Sequence, residues 1–105
     1  MKTLRTLLTF LILGWATPAL AGDAIVKIKH GKVEPAEVIV TKGDIVTFQN
    51  VDEMPGGHSI VADDGSFKSP GLSPGEEWSH SFENLGTYPY HIGEHPDAKG
   101  KVIVE

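Results

Sequence analysis

The side chains of this sequence that could carry chemistry are its five histidines. His58 follows the turn-forming segment Met54–Gly57, and His95 lies in the Gly–Glu–His–Pro segment 93–96. Neutral imidazole is the commonest protein ligand for a metal ion, and histidines in loops at one end of a β-sandwich can converge on a single ion. The pattern alone leaves two interpretations open, which are a shared metal site and a pair of solvated turn histidines.

Two of the other histidines have simpler explanations. His80 alternates with Trp78 and Phe82 on one strand face, so we expect a histidine packed in the core or at its edge. His30 ends a predicted strand beside Gly31 and is expected to be exposed. The sequence has no Ser/His/Asp set, phosphate-binding loop or pair of catalytic carboxylates with matching spacing, so we do not expect an enzyme.

The composition excludes several classes of function. The chain has 105 residues, which is enough for one small domain, and its formal net charge of -5 argues against nucleic-acid binding. The acidic residues are scattered, so they are expected to form a solvated surface. The absence of cysteine excludes disulfides, iron–sulfur clusters, thiolate zinc sites and cysteine nucleophiles. It also excludes an ordinary blue copper site, which needs a cysteine thiolate on the metal.

Residues 1–21 have the pattern of a secretory signal peptide. Lys2 and Arg5 form its basic start, residues 7–13 form a short apolar run, and residues 19–21 form a small-x-small cleavage site. The alternative is an uncleaved membrane anchor. After cleavage the domain would carry seven basic and fourteen acidic residues, for a net charge of -7. We expect this domain to be periplasmic or secreted, monomeric and without a membrane span.

The mature region, residues 22–105, has the pattern of an all-β protein. Short β-branched segments alternate with Gly and Pro, and no stretch shows sustained helical periodicity. The predicted strands cover 24–30, 37–41, 45–49, 58–62, 78–82, 87–92 and 101–105. Short strands at this spacing predict a Greek-key β-sandwich.

A series of motifs runs in order along the mature chain. The motifs are Asn50–Pro55, His58–Ile60, Asp63–Phe67, Leu72–Glu76, Gly86–His91, His95–Pro96 and Gly100–Glu105. Together they resemble a cupredoxin of the amicyanin or plastocyanin type, and the resemblance covers essentially the whole mature chain. It implies a cupredoxin-like Greek-key β-sandwich, in agreement with the strand pattern.

The resemblance also implies where a metal would bind. Cupredoxins bind blue copper through a histidine on a proline-preceded loop and through a Cys-x-x-His-x-x-Met loop. Carried over, the two histidines are His58 and His95, the Cys position is Ile92 and the Met position is Ala98. The sequence also has Gly56–Gly57 directly before His58, where the family usually has proline. Two ligands are therefore retained, and the thiolate that gives the blue colour is replaced.

Two further side chains could complete the ligand set. Glu94 directly precedes His95, and its carboxylate could reach an ion held by that ring. His91 is the other candidate, although strand alternation places it on the face opposite Ile92. A His/His/carboxylate set suits Cu(II), Zn(II) or non-haem iron better than rapid cycling between Cu(I) and Cu(II). The expected cofactor is copper, with another divalent ion or no metal as the alternatives. The candidate metal ligands are thus His58, His95, Glu94 and His91.

Three functions follow from these residues. The first is a periplasmic cupredoxin-like copper-binding protein with a non-blue histidine site. It would act in metal handling or a modified electron-transfer role, with a periplasmic redox or metal-transport protein as its partner. The second is a metal-free cupredoxin-fold binding or scaffold module, in which Ile92 and Ala98 close the old site. The third is a small metalloenzyme, although the sequence shows no residues that would bind and orient a substrate. The retained histidines favour the first function, and the apolar replacements favour the second.

Overall fold

Eight strands form where β-branched and aromatic residues alternate with polar ones. In the first strand, for example, Val26 and Ile28 point inward and are fully buried while their neighbours are more exposed. The structure is a computed structural model that describes residues 22–105, and the predicted signal peptide lies outside the described residues. The strands are β1 (Ala24–Lys29), β2 (Lys32–Glu34), β3 (Glu37–Val40), β4 (Ile45–Asn50), β5 (Ile60–Ala62), β6 (Glu77–Ser81), β7 (Gly86–Ile92) and β8 (His95–Val104).

The strands form two four-stranded mixed sheets. One sheet has the order β2-β1-β4-β6 and the other has the order β3-β8-β7-β5. The pairs β1/β4 and β3/β8 are parallel, and all other neighbours in the two sheets are antiparallel. The predicted all-β, Greek-key sandwich is confirmed. Within residues 22–105 there is no helix long and apolar enough to cross a membrane.

Both sheets contribute side chains to one apolar core. The buried residues that form it are Val26, Ile28, Val33, Val38, Val40, Val46, Phe48, Ile60, Ala62, Phe67, Leu72, Phe82, Tyr90, Ile92, Ala98, Val102 and Val104. Ile92 and Ala98, at the two ligand positions that the resemblance marks as replaced, belong to this core.

The short strand β2 was not predicted from the sequence. It pairs antiparallel with β1 through a two-residue turn at His30 and Gly31, which have φ angles of 50° and 70°. Positive φ at both central residues is the geometry that matches the twist of a tight hairpin. Because His is a weaker signal for this turn than Asn or Asp, the hairpin is hard to recognise in the sequence.

The hairpin of β7 and β8 positions the second candidate ligand. Its turn consists of residues 93–94, so β8 begins at His95, earlier than the predicted strand at 101–105. Ile92 pairs with His95, and His91 pairs with Lys99, so residues 96–98 bulge from β8 without counterparts on β7. Such a bulge redirects a strand at a sheet end. His95 is thereby placed at the end of the sandwich.

Candidate metal centre

The structure brings His58 and His95 together. His58 precedes β5, where its backbone N–H donates to the Leu72 carbonyl at 3.0 Å and its carbonyl accepts from the Leu72 N–H at 2.8 Å. His95 is the first residue of β8, directly after the β7–β8 turn. The centroids of the two imidazole rings are 5.3 Å apart, and the ring planes are inclined by 56°. The two histidines expected to share an ion are therefore neighbours.

The two rings differ in exposure. His58 is only 6% exposed, whereas His95 lies on the surface. The Nδ1 atom of His58 is buried and has no hydrogen-bond partner. A buried nitrogen without a partner is unfavourable unless a ligand or an ordered water satisfies it. The pair thus has one enclosed nitrogen donor beside one that solvent can reach.

Asp52 determines which nitrogen of His58 is free. Its Oδ2 atom lies 3.4 Å from Nε2 of His58, and Asp52 is 7% exposed. The backbone N–H groups of His30 and Met54 donate to Asp52 at 3.0 and 3.2 Å and lower its pKa to about 2. Asp52 is therefore a carboxylate at neutral pH and can only accept, so Nε2 of His58 carries the proton. The lone pair of a neutral ring then lies on Nδ1, and this carboxylate–histidine arrangement is the one that orients metal-binding histidines.

Asp52 is not indicated by the sequence, because scattered acidic residues predict a solvated surface. For Asp52 this expectation is wrong, since backbone donors compensate for its burial. The hydrogen bond from the Met54 N–H to Asp52 forms an Asx turn. Because this turn is local, an aspartate two residues before Met54 could have indicated it. The contact with His30 comes from a distant part of the chain and has no local signal. The ring of His30 is 58% exposed, and its Nδ1 lies 3.5 Å from Asp52 Oδ1.

Glu94 contacts the segment that carries His58. Its Oε1 accepts from the backbone N–H of Ser59 at 2.7 Å, and its Oε2 accepts from the Ser59 hydroxyl at 3.0 Å. The N–H of Gly93 donates to the Ser59 carbonyl at 2.9 Å. Partial burial raises the pKa of Glu94, but the hydrogen bonds from Ser59 outweigh this effect and hold the pKa below its usual value. Each carboxylate oxygen of Glu94 thus accepts one hydrogen bond from Ser59, which holds the side chain against this segment.

His91 contacts a different side chain. Its Nδ1 lies 2.7 Å from Asp63 Oδ1, and both side chains are partly exposed. Within residues 22–105 there is no group of three or more His, Cys, Asp or Glu side chains arranged to hold an ion. Of the four candidate ligands, the structure brings together His58 and His95 and does not add Glu94 or His91 to them as a third donor.

His80 packs among aromatic side chains. It is partly buried, and its ring centroid lies 5.0 Å from that of Phe67, 5.3 Å from that of Trp78 and 4.9 Å from that of Phe82. Burial lowers the pKa of His80. This surrounding is that of a packing residue at the edge of the core.

The donor set fits a copper ion bound through nitrogen and does not fit blue copper. His58 offers a buried, unpartnered Nδ1, and His95 offers an imidazole close to it. The positions of the family's thiolate and thioether are held by Ile92 and Ala98, which are 0% and 4% exposed and have no donor atom. Since residues 22–105 supply no third ligand, water or another molecule could complete the coordination from the exposed side of His95.

Comparisons with known proteins agree with the fold. Residues 4–104 match the family described as the Cupredoxin-like domain. Amicyanin from Paracoccus denitrificans is 37% identical over 87 residues, which cover 80% of this chain and 66% of that protein, slightly less than two thirds of its length. Amicyanin-alpha from Methylorubrum extorquens is 36% identical over 92 residues, which cover 83% of this chain and 76% of that protein.

A solved structure shows that the similarity to cupredoxins extends to the three-dimensional fold. The purple cupredoxin from Nitrosopumilus maritimus superimposes with a TM-score of 0.70 at 30% sequence identity. The match covers 78% of this chain and 99% of that chain. The resemblance therefore extends over nearly all of the residues that the structure describes.

Proposed function

Because the chain belongs to the cupredoxin-like domain family, we propose that it is a copper-binding protein whose site consists of His58 and His95 and is not blue. The observation that carries this proposal is the buried, unpartnered Nδ1 of His58 beside the ring of His95. Asp52 supports it, because a carboxylate on Nε2 leaves Nδ1 as the metal-binding atom.

The protein's own residues would bind and orient the ion and shield it on one side. His58 supplies a donor fixed by Asp52 and enclosed by the fold, while His95 supplies a donor at the surface. Copper would supply a centre that exists as Cu(I) or Cu(II). Two fixed nitrogens leave coordination positions for water or for a donor from a partner, and this openness suits metal handling better than rapid electron transfer. A modified electron-transfer role remains part of the proposal.

The proposed location is the periplasm or the exterior, after removal of the signal peptide at residues 1–21. The proposed partner is a redox or metal-transport protein of that compartment, and the domain is proposed to be monomeric. The relatives named amicyanin support a redox or copper context. We propose a binding protein and not an enzyme, because the sequence has no Ser/His/Asp set, phosphate-binding loop or pair of catalytic carboxylates with matching spacing.

Calorimetric titration of the exported protein with Cu(II) and Zn(II) tests the proposal. We expect one site that weakens strongly in His95→Ala and stays unchanged in the matched control His91→Ala, whose ring contacts Asp63. The copper-loaded wild type should show no intense visible band, because that band needs a thiolate on Cu(II). Unchanged binding in His95→Ala, or an intense band in the wild type, would contradict the proposal.

A second candidate function rests on Ile92 and Ala98. Both are buried in the core, as expected of a sandwich that has lost its metal and serves as a binding or scaffold module. The same titration separates the two functions, because the metal-free module predicts no saturable uptake of either ion at micromolar concentrations (about 1–100 μM).

A further inference from the structure

Three hydrogen bonds join the two segments that carry His58 and His95. Two of them run from the backbone N–H and the hydroxyl of Ser59 to the two carboxylate oxygens of Glu94, at 2.7 and 3.0 Å. The third runs from the N–H of Gly93 to the Ser59 carbonyl at 2.9 Å. We call these three residues, Ser59, Gly93 and Glu94, the clamp.

The two segments that the clamp joins are in close contact. A Cβ atom at Gly93 would lie only 2.5 Å from the Ser59 hydroxyl oxygen and 3.5 Å from a methyl carbon of Val61. Real Cβ atoms do not approach other atoms to 2.5 Å, so in a residue larger than glycine either the Ser59 hydroxyl would rotate away from Glu94 or the turn would move away from Ser59. Either movement would loosen the clamp.

The clamp is also adjacent to both rings in sequence. His58 directly precedes Ser59, and His95 directly follows Glu94. A change in the distance between Ser59 and Glu94 therefore changes the distance between the two imidazoles. Among residues 22–105, no third His, Cys, Asp or Glu side chain joins the two histidines to hold the segments in place around an ion.

We infer that Ser59, Gly93 and Glu94 set the separation of the His58 and His95 rings and thereby the metal affinity, with Glu94 as a positioning residue. This inference rests on the proposed function. It assigns to Glu94 a role different from that of a metal ligand, because its two oxygens already accept from Ser59. Hydrogen-bond partners of this kind typically change metal affinity by about 10- to 100-fold.

The variant Ser59→Ala separates the two roles of Glu94. If Glu94 holds the segments together, loss of the hydroxyl should weaken Cu(II) binding by about tenfold. If Glu94 is a ligand, loss of the hydroxyl frees Oε2 to reach the ion, so the affinity should stay constant or increase. Ser59→Thr keeps both donors and should restore wild-type binding.

Gly93→Ala tests the clamp without removing any donor group. It should weaken Cu(II) binding as Ser59→Ala does and alter the Cu(II) electron paramagnetic resonance spectrum, because the two nitrogens no longer meet at the same separation. Glu94→Gln should also weaken Cu(II) binding, because an amide nitrogen cannot accept a hydrogen bond from Ser59. Its matched control is Glu53→Gln, which removes the same charge from an exposed side chain near His58. Thermal unfolding of every variant shows whether the fold is intact.

A measurement on the metal-free protein separates failure of this inference from failure of the proposed function. Proton NMR should show a nuclear Overhauser effect between the rings of His58 and His95 in the wild type, and Ser59→Ala and Gly93→Ala should weaken it. A wild type that takes up no copper refutes the proposed function alone. Unchanged ring contacts in folded Ser59→Ala and Gly93→Ala, or a Cu(II) affinity that Ser59→Ala leaves constant or raises, would overturn the inference.

Discussion

The carboxylate of Asp52 lies 3.4 Å from Nε2 of His58, and Nδ1 of the same ring is buried without a partner. One side chain thus determines both the orientation of the imidazole and the nitrogen that is free to bind an ion.

Asp52→Asn should weaken Cu(II) binding by about 10- to 100-fold, because the neutral amide holds the Nε2–H group of His58 less strongly than a carboxylate does. Titration calorimetry measures the affinity, and nitrogen NMR of the metal-free protein should show the proton on Nε2 in the wild type. Asp97→Asn is the control, since Asp97 is exposed on the bulge of β8. Equal affinities of Asp52→Asn and the wild type would rule out the orienting role.

His80 should make the stability of the protein depend on pH. Burial lowers its pKa below the ordinary value of 6.5, so the unfolded chain binds a proton more readily than the folded chain. The neutral ring of His80 makes its full contribution to the free energy of unfolding above about pH 6.5. This contribution is lost as the pH falls through the lowered pKa. His80→Phe should flatten this decline in urea unfolding between about pH 7 and about pH 5. An NMR titration midpoint of His80 at or above 6.5 would contradict this prediction.

Ile92→Cys should give the copper-loaded protein an intense visible band. Ile92 is fully buried and pairs with His95 across the β7–β8 hairpin, so a thiolate there would lie next to the candidate ligands. The metal-free variant should lose about 1 to 3 kcal/mol of stability, because a smaller side chain leaves a cavity. Ile28→Cys, an equally buried residue of β1, should lose similar stability without any band. A colourless Ile92→Cys protein with an intact fold would show that the thiolate does not meet the histidines at one ion.

Gly100→Ala should destabilise the sandwich by about 1 to 3 kcal/mol through overpacking. A Cβ atom at Gly100 would collide with the hydroxyl of Tyr90 and lie 2.9 Å from the Ala36 carbonyl oxygen, which accepts from the Lys101 N–H at 2.8 Å. Thermal unfolding measures the loss. Gly71→Ala is the matched control, because nothing lies within 4 Å of its Cβ position, and it should leave the midpoint nearly unchanged.

The hydroxyl of Tyr90 allows a second test of the same contact. It is buried and has no hydrogen-bond partner, so Tyr90→Phe removes no hydrogen bond. Tyr90→Phe should therefore be nearly neutral by itself and should recover part of the stability lost in Gly100→Ala. Additive losses in the double variant would show that the hydroxyl is not the obstacle.

Much of the fold and the histidine pair could be predicted from the sequence. Alternation along segments such as 45–49 reflects one buried face, which is a local property, and the ordered motifs identified the cupredoxin sandwich. The strands that differ from the prediction, β2 and the start of β8, lie in tight hairpins whose turn residues are weak sequence signals. β8 begins at His95 because that residue pairs with Ile92, and its bulge hides the regular alternation that would mark a strand.

The surroundings of the histidines could not be predicted, because their partners lie far away in the sequence. Asp52 is buried because the backbone of His30 donates to it, and Glu94 is held by Ser59, which lies 35 residues earlier in the chain. A carboxylate beside a histidine in sequence suggests a ligand, but only the fold shows which donors its oxygens accept. Charge and spacing in the sequence identify a reactive side chain more readily than they identify the groups that contact it.

The parallel pairing of β3 with β8 affects the order in which the molecule assembles. Residues 37–40 pair with residues 101–104, so this sheet closes only when two distant parts of the chain meet. Pairings over long sequence separations carry a large loop-closure entropy and make folding slow, on the order of milliseconds to seconds. This closure is separate from the approach of His95 to His58, which the β7–β8 hairpin and the pairing of β5 with β7 bring about.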